Sequence, residues 1–170
     1  MSIYSSVLKF KKKYPWTIAW HLKRHSKVVE NIIDKDEKVL YTFCGQRNDT
    51  NMLFDSCVVA VTNKRIIVGE KRALFGYYLI TISTELFNDL KITTGIIWGR
   101  IEIDTVKENL FISNVDKKAM DEIETKVHEI MLKNKRRLRD KKEKMESENK
   151  NKEEEYVELF LDFFLYLIFI

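Results

Sequence analysis

The chain has 170 residues, 30 Lys and Arg against 26 Asp and Glu, 45% hydrophobic residues, one proline and five glycines. That length holds about one domain with extensions, and the apolar fraction is that of an ordinary soluble protein. Two cysteines and no recognisable secretory leader speak against a disulfide-stapled secreted scaffold and for thiols in a reducing cytoplasm. The net charge of +4 hides a strong segregation. Residues 1–29 contain no Asp or Glu, while Lys9, Lys11, Lys12, Lys13, Lys23, Arg24 and Lys27 make this arm basic. A second basic run over 133–144 includes Arg136, Arg137, Arg139, Lys141 and Lys142, and acidic Glu153, Glu154 and Glu155 come after it.

In chain order, Pro15 is placed to open a helix in the arm. Trp16, Ala19, Trp20, Val28, Ile32 and Ile33 then recur at spacings that make one apolar face, interleaved with Lys23, Arg24 and Lys27. Such a basic amphipathic helix either lies on an anionic membrane or docks on the strand region C-terminal to it. Asp34 to Glu37 leads straight into a strand without a linker, which favours docking.

Seven strand-like segments come next: Val39–Cys44, Cys57–Thr62, Ile66–Lys71, Tyr77–Ser83, Leu90–Thr94, Ile97–Ile103 and Leu110–Ser113. Gly45 to Asp55, rich in Asn, Asp and Thr, reads as a long polar loop. Asn63-Lys64 reads as a tight hairpin turn in which Asn takes a positive φ. Cys44 and Cys57 fall on neighbouring strands. In the sixth strand Ile97, Gly99, Ile101 and Ile103 alternate with Trp98, Arg100 and Glu102, so Trp98 reads as an aromatic covering an otherwise polar face. A helix capped by Asp116 completes the order, with Met120, Ile123, Val127, Ile130 and Met131 in one stripe. Strands first and one closing helix define an α+β, mainly β protein: a small barrel or sandwich plugged by a helix.

No catalytic constellation accompanies this frame. There is no glycine-rich phosphate loop and no nucleophile elbow, and His128 lacks a Ser or Cys partner. His21 and His25 stand one helical turn apart among cations, with no acidic or Cys ligand near. Neither a metal nor a cofactor is expected, and an enzyme is not.

The segment Val58 to Lys71, VVAVTNKRIIVGEK, carries a resemblance, together with Leu74-Phe75-Gly76, Phe87-Asn88-Asp89-Leu90, Gly95-Ile96-Ile97-Trp98-Gly99 and the helix after Ile112-Ser113-Asn114-Val115. These stretches resemble the bacterial pleckstrin-homology (PH) domains of the YokE-like kind, over roughly 37–132. The turn Thr62-Asn63-Lys64-Arg65 and the glycine-flanked sixth strand are its most specific pieces. The basic helix from Ala19 to Ile33 resembles an N-terminal extension of some Firmicutes members. The resemblance implies a PH-like fold of four plus three antiparallel strands closed by a C-terminal helix, no catalysis, and binding of proteins or membranes. It also limits that binding. The loop that cradles inositol phosphates in eukaryotic PH domains corresponds to Gln46–Asp55, which offers only Arg47 against Asp49 and Asp55.

The resulting division is a basic arm (1–36), a PH-like domain (37–132), a charged linker that is helical or disordered (133–155) and an apolar tail (156–170). In the tail, Phe163, Phe164, Leu165, Leu167, Ile168 and Phe169 belong to an unbroken apolar run. As a helix the whole tail from Tyr156 to Ile170 reaches about 22 Å, short of the roughly 30 Å hydrocarbon core. The run's eight apolar side chains are nonetheless costly to leave in water. A shallow anchor, a partner-binding or self-associating segment, and a frameshifted terminus are the three readings. Placed after the basic run, the tail completes the two-signal arrangement for anionic membranes. The expected function is a non-catalytic binding module in the cytoplasm. It is recruited to the inner membrane surface, or to an unidentified protein, through the arm and tail. A soluble adaptor of phage or mobile-element origin is one alternative. A nucleic-acid binder using the arm's cations with Tyr14, Trp16 and Trp20 is another.

Overall fold

The computed structural model describes residues 2–47, 55–72 and 74–168, without the side chains of 155, 158 and 162–168. It comprises two units, Met1–Asn134 and Lys135–Ile170. In the first, helices α1 (Ile3–Lys13) and α2 (Leu22–Glu30) precede seven strands: β1 (Val39–Arg47), β2 (Ser56–Thr62), β3 (Arg65–Lys71), β4 (Tyr77–Ser83), β5 (Phe87–Thr94), β6 (Trp98–Thr105) and β7 (Asn109–Asp116). Helix α3 (Met120–Ile168) begins in this unit and supplies the second.

All neighbouring strands are antiparallel, in the order β4-β3-β2-β1-β7-β6-β5. The sheet is four plus three strands, hinged where β1 meets β7, among the described residues through Gln46↔Ser113 and Arg47↔Ile112. A side chain on Gly45 would meet Ile112, Val115 and the Ser113 carbonyl at 2.6–3.0 Å, so the crossing needs that glycine. β4 and β5 remain the two ends, and the sheet is a curled half-barrel rather than a closed barrel.

Register explains why β2 is buried throughout. Phe43, Val59 and Val68 stand opposite one another across β1, β2 and β3, whereas Val58 opposite Gly69 and Ala60 opposite Ile67 face the other way. The second face is covered by α2, whose Val29 approaches Gly69 so closely that an added Cβ would lie 2.5 Å from its methyl. Covered on both faces, the strand reads as a continuous apolar run. β5, covered on one, alternates.

α1 corrects the reading of the arm. The helix lies before Pro15, and Ile3, Val7 and Phe10 form its buried stripe. The Phe10 ring packs on Tyr14, Tyr41 and Phe43 at centroid separations of 5.0–6.5 Å. After Pro15 the chain does not open a helix at once: α2 starts only at Leu22, behind His21 at φ 51°. Trp16 and Trp20, expected on an apolar face, are exposed. The docking of α2 itself is as the missing linker indicated. Its clamp is the turn between β2 and β3. Buried Glu37 accepts from the Thr62 hydroxyl at 2.7 Å and from Arg65 Nε and Nη2 at 3.0 and 2.8 Å, while Arg65 Nη2 also donates to the Ile32 carbonyl. Burial pushes the Glu37 carboxyl up, but the bonds from Arg65 and Thr62 outweigh it and hold it below its usual value.

Three further details differ from the sequence reading. Asn63 does not take a positive φ. The turn is closed instead by Thr62 Oγ1, which accepts from the Lys64 and Arg65 amides, and Asn63 Oδ1 accepts from Lys38 N. Gly45 to Arg47 belong to β1 and not to a loop, and residues 48–54 of that expected loop lie outside the described residues. The helix opened at Asp116, whose side chain accepts from Lys118 N, continues through a 3-10 turn into α3 and buries all five expected apolar residues. The charged linker 133–155 is helical.

Candidate binding surfaces

The basic arm is not a uniform cationic surface. Lys11 Nζ donates to the Pro15 carbonyl at 3.1 Å and to the Thr17 carbonyl, closing the bend after α1. Lys13 pairs with Glu122 of α3. The same carboxylate accepts from Tyr14 at 2.6 Å and Tyr41 at 3.2 Å, so one acid ties α1, β1 and α3 together. Burial pushes Glu122 up and these donors outweigh it, leaving it below its ordinary value. Of the cations assigned to membrane or anion contact, Lys11 and Lys13 thus serve the fold. Lys9, Lys12, Lys23, Arg24 and Lys27 are exposed. Lys9 borders a 340 Å³ cavity between α1 and β1 that also takes in Lys13 and Glu122. Arg24 and Lys27 line a separate 410 Å³ cleft between α2 and the β3–β4 connection.

Arg47, the single cation read into the loop, is buried. It pairs with Glu70 at 3.3 Å and stacks on Tyr78, its guanidinium carbon 3.2 Å from the ring centre. It is absorbed by packing and offers nothing to a soluble anion. The two histidines part company as well. His21 is exposed, while His25 is buried and accepts from Lys71 N at 2.8 Å through Nδ1. Burial, with His21 and Arg24 nearby, lowers its pKa to about 4. Among the described residues no group of three or more His, Cys, Asp or Glu comes together as a metal site. Cys44 and Cys57 are buried thiols one register step apart, with Cys44 opposite Val58, and burial pushes Cys44 up to about 12. Trp98 covers the rim of β6, and its indole donates to the Trp16 carbonyl at 2.7 Å.

In the second unit Arg136, Arg137 and Arg139 are exposed on α3. Further along, Tyr156, Val157, Leu159, Phe160 and Leu161 are 53–72% exposed. Phe163, Phe164, Leu165, Leu167 and Ile168 lie within α3, and Phe169 lies beyond the described residues. Among the described residues no helix is long and apolar enough to cross a membrane.

A half-barrel of four plus three antiparallel strands with a closing helix is the PH-like fold. Residues 33–129 match the family model described as bacterial PH domain, and the chain belongs to that family. Two solved structures are similar in fold. One is a protein of the family DUF1696 with a pleckstrin-homology domain from Shewanella loihica PV-4, 11% identical, TM-score 0.42, covering 64% of this chain and 95% of its own. The other is a pleckstrin homology domain from Shewanella amazonensis SB2B, 10% identical, TM-score 0.39, covering 65% of this chain and 91% of its own. No curated protein matches. The matched segment begins after α2, so the arm and most of α3 lie outside it.

Proposed function

We propose that the chain is a non-catalytic PH-type binding module, of the YokE-like kind by its Thr62–Arg65 turn and Gly95–Gly99 segment. Its partner is an anionic membrane surface on the cytoplasmic side, and the C-terminal part of α3 is its attachment. One observation carries this reading. Five large apolar side chains from Tyr156 to Leu161 stand in solvent on a helix that also presents Arg136, Arg137 and Arg139, 17 to 20 residues ahead of Tyr156. Transferring such side chains out of water is favourable by about 1.5–3 kcal/mol each when complete. Nearby arginines add about 1 kcal/mol apiece at an anionic surface. Thirteen helical residues from 156 to 168 extend only about 20 Å, which suits a helix lying in the interface rather than spanning.

The test is sedimentation with neutral and anionic vesicles, comparing the full chain with one ending at Glu155. Tail-dependent pelleting that is stronger on anionic lipid supports the reading. A full chain that stays in the supernatant with both vesicles refutes it and directs attention to a protein partner.

A further inference from the structure

We infer that the cleft between α2 and the β3–β4 connection is a second membrane contact, one that seats a lipid phosphate and fixes how the first unit meets the surface. The inference rests on the proposal that an anionic membrane is the partner, but on different residues. The cleft is lined by Arg24, Lys27, Val28, Asn31, Ile32, Lys71 and Tyr77, with three cations and, among the described residues, no carboxylate. The carbonyl end of α2 points its partial negative charge toward Asn31, which the three full charges outweigh. Leu74 and Phe75 stand in the connection leading into Tyr77 and are 85% and 87% exposed. Arg72, also exposed, lies on the same connection.

Cations beside protruding apolar side chains are the pairing that an anionic bilayer satisfies at once: phosphate for the charges, acyl boundary for Leu74 and Phe75. A soluble anion uses only the first half, and an acidic protein gains less from an exposed apolar tip. The cleft is also built rather than incidental. His25 accepts the Lys71 amide at 2.8 Å, and Val29 seats on Gly69, so α2 and the end of β3 are held in fixed relation. Arg24 and Lys27 belong to α2, ahead of the segment matched to the family.

The experiment uses the full chain and measures binding to vesicles of phosphatidylcholine alone and of phosphatidylcholine with phosphatidylglycerol. Neutralising one surface-apposed cation costs about fivefold, so Arg24→Gln with Lys27→Gln weakens binding to the anionic vesicles by about thirtyfold. Leu74→Ser with Phe75→Ser weakens it by roughly tenfold or more. All four positions are exposed, and unchanged thermal unfolding verifies the fold. Phe160→Ser with Leu161→Ser reports on the α3 attachment separately. Loss with the α3 pair but unchanged binding with both cleft pairs overturns the cleft and leaves the attachment standing. Loss with the cleft pairs and none with the α3 pair supports the cleft and overturns the attachment. Equal loss on neutral and anionic vesicles with the Gln pair overturns the contact with anionic lipid.

Discussion

Two stretches of this chain look alike as strings of Lys and Arg, and they differ in whether an apolar stripe seats their helix on the sheet. The arm before residue 29 is folded into the sheet: Lys11 and Lys13 are engaged by carbonyls and Glu122, and Phe10 sits among Tyr14, Tyr41 and Phe43. The run around Arg136 to Lys144 keeps its charges in solvent on α3. The difference lies in what separates the charges. Ile3, Val7 and Phe10 fall on one helical face, and its burial brings Lys11 and Lys13 to their partners while Lys9 and Lys12 stay in solvent. Between Lys133 and Lys144 Leu138 is the sole apolar residue, and one side chain cannot seat a helix.

That contrast breaks first at Phe10. Phe10→Ala removes the aromatic anchor of α1 and is expected to cost about 3–5 kcal/mol, read as a shift in the urea unfolding midpoint. A loss no greater than that of a surface substitution would make the arm a passenger.

The pH dependence comes next. His25 is held neutral with its pKa lowered to about 4, below the unfolded value of 6.5. Above 6.5 both states are neutral and the stability is fully present. As pH falls from 6.5 toward 4 the unfolded chain binds the proton first, and stability declines by up to about 3 kcal/mol. Unfolding midpoints measured across that window, with His25→Gln flattening the decline, check it.

Gly69→Ala is expected to lose about 1–3 kcal/mol by pressing a methyl into Val29 and displacing α2. Glu122→Gln weakens three bonds that join α1, β1 and α3, for a loss of about 1–2 kcal/mol. At the small end, Arg136→Gln, Arg137→Gln and Arg139→Gln each leave stability within about 0.5 kcal/mol, since their side chains are solvated. A larger effect there would erase the distinction between the two basic stretches.

The seven strands are legible because alternation and turn residues are local signals, and the closing stripe from Met120 to Met131 because its spacing is regular. α1 is masked by the charge of Lys11, Lys12 and Lys13, although Ile3, Val7 and Phe10 carry the spacing that marks it. Arg47 reads as a loop cation because nothing local announces Glu70 and Tyr78, which meet it across strands. The Thr62–Arg65 turn is recognisable, but its work is done with Glu37 and Ile32, 25 to 33 residues away. Of the proposed cleft, Arg24 and Lys27 are visible as charges. Lys71 and Tyr77 join them only through the packing of α2 on β3.

The short seam between β1 and β7 has a practical side. With two residue pairs joining them among the described residues, the flank of β1 before Gln46 has no strand neighbour there within those residues, and an unclaimed strand flank is where separate chains stack and precipitate. α1 lies along that strand, with Phe10 against Tyr41 and Phe43. A protein trimmed to the recognised segment from residue 33 would lose both this guard and the α2 cover over Gly69. The stretch that defines kinship is therefore smaller than the stretch that packs together, and an excision that keeps this guard has to begin ahead of Ile3.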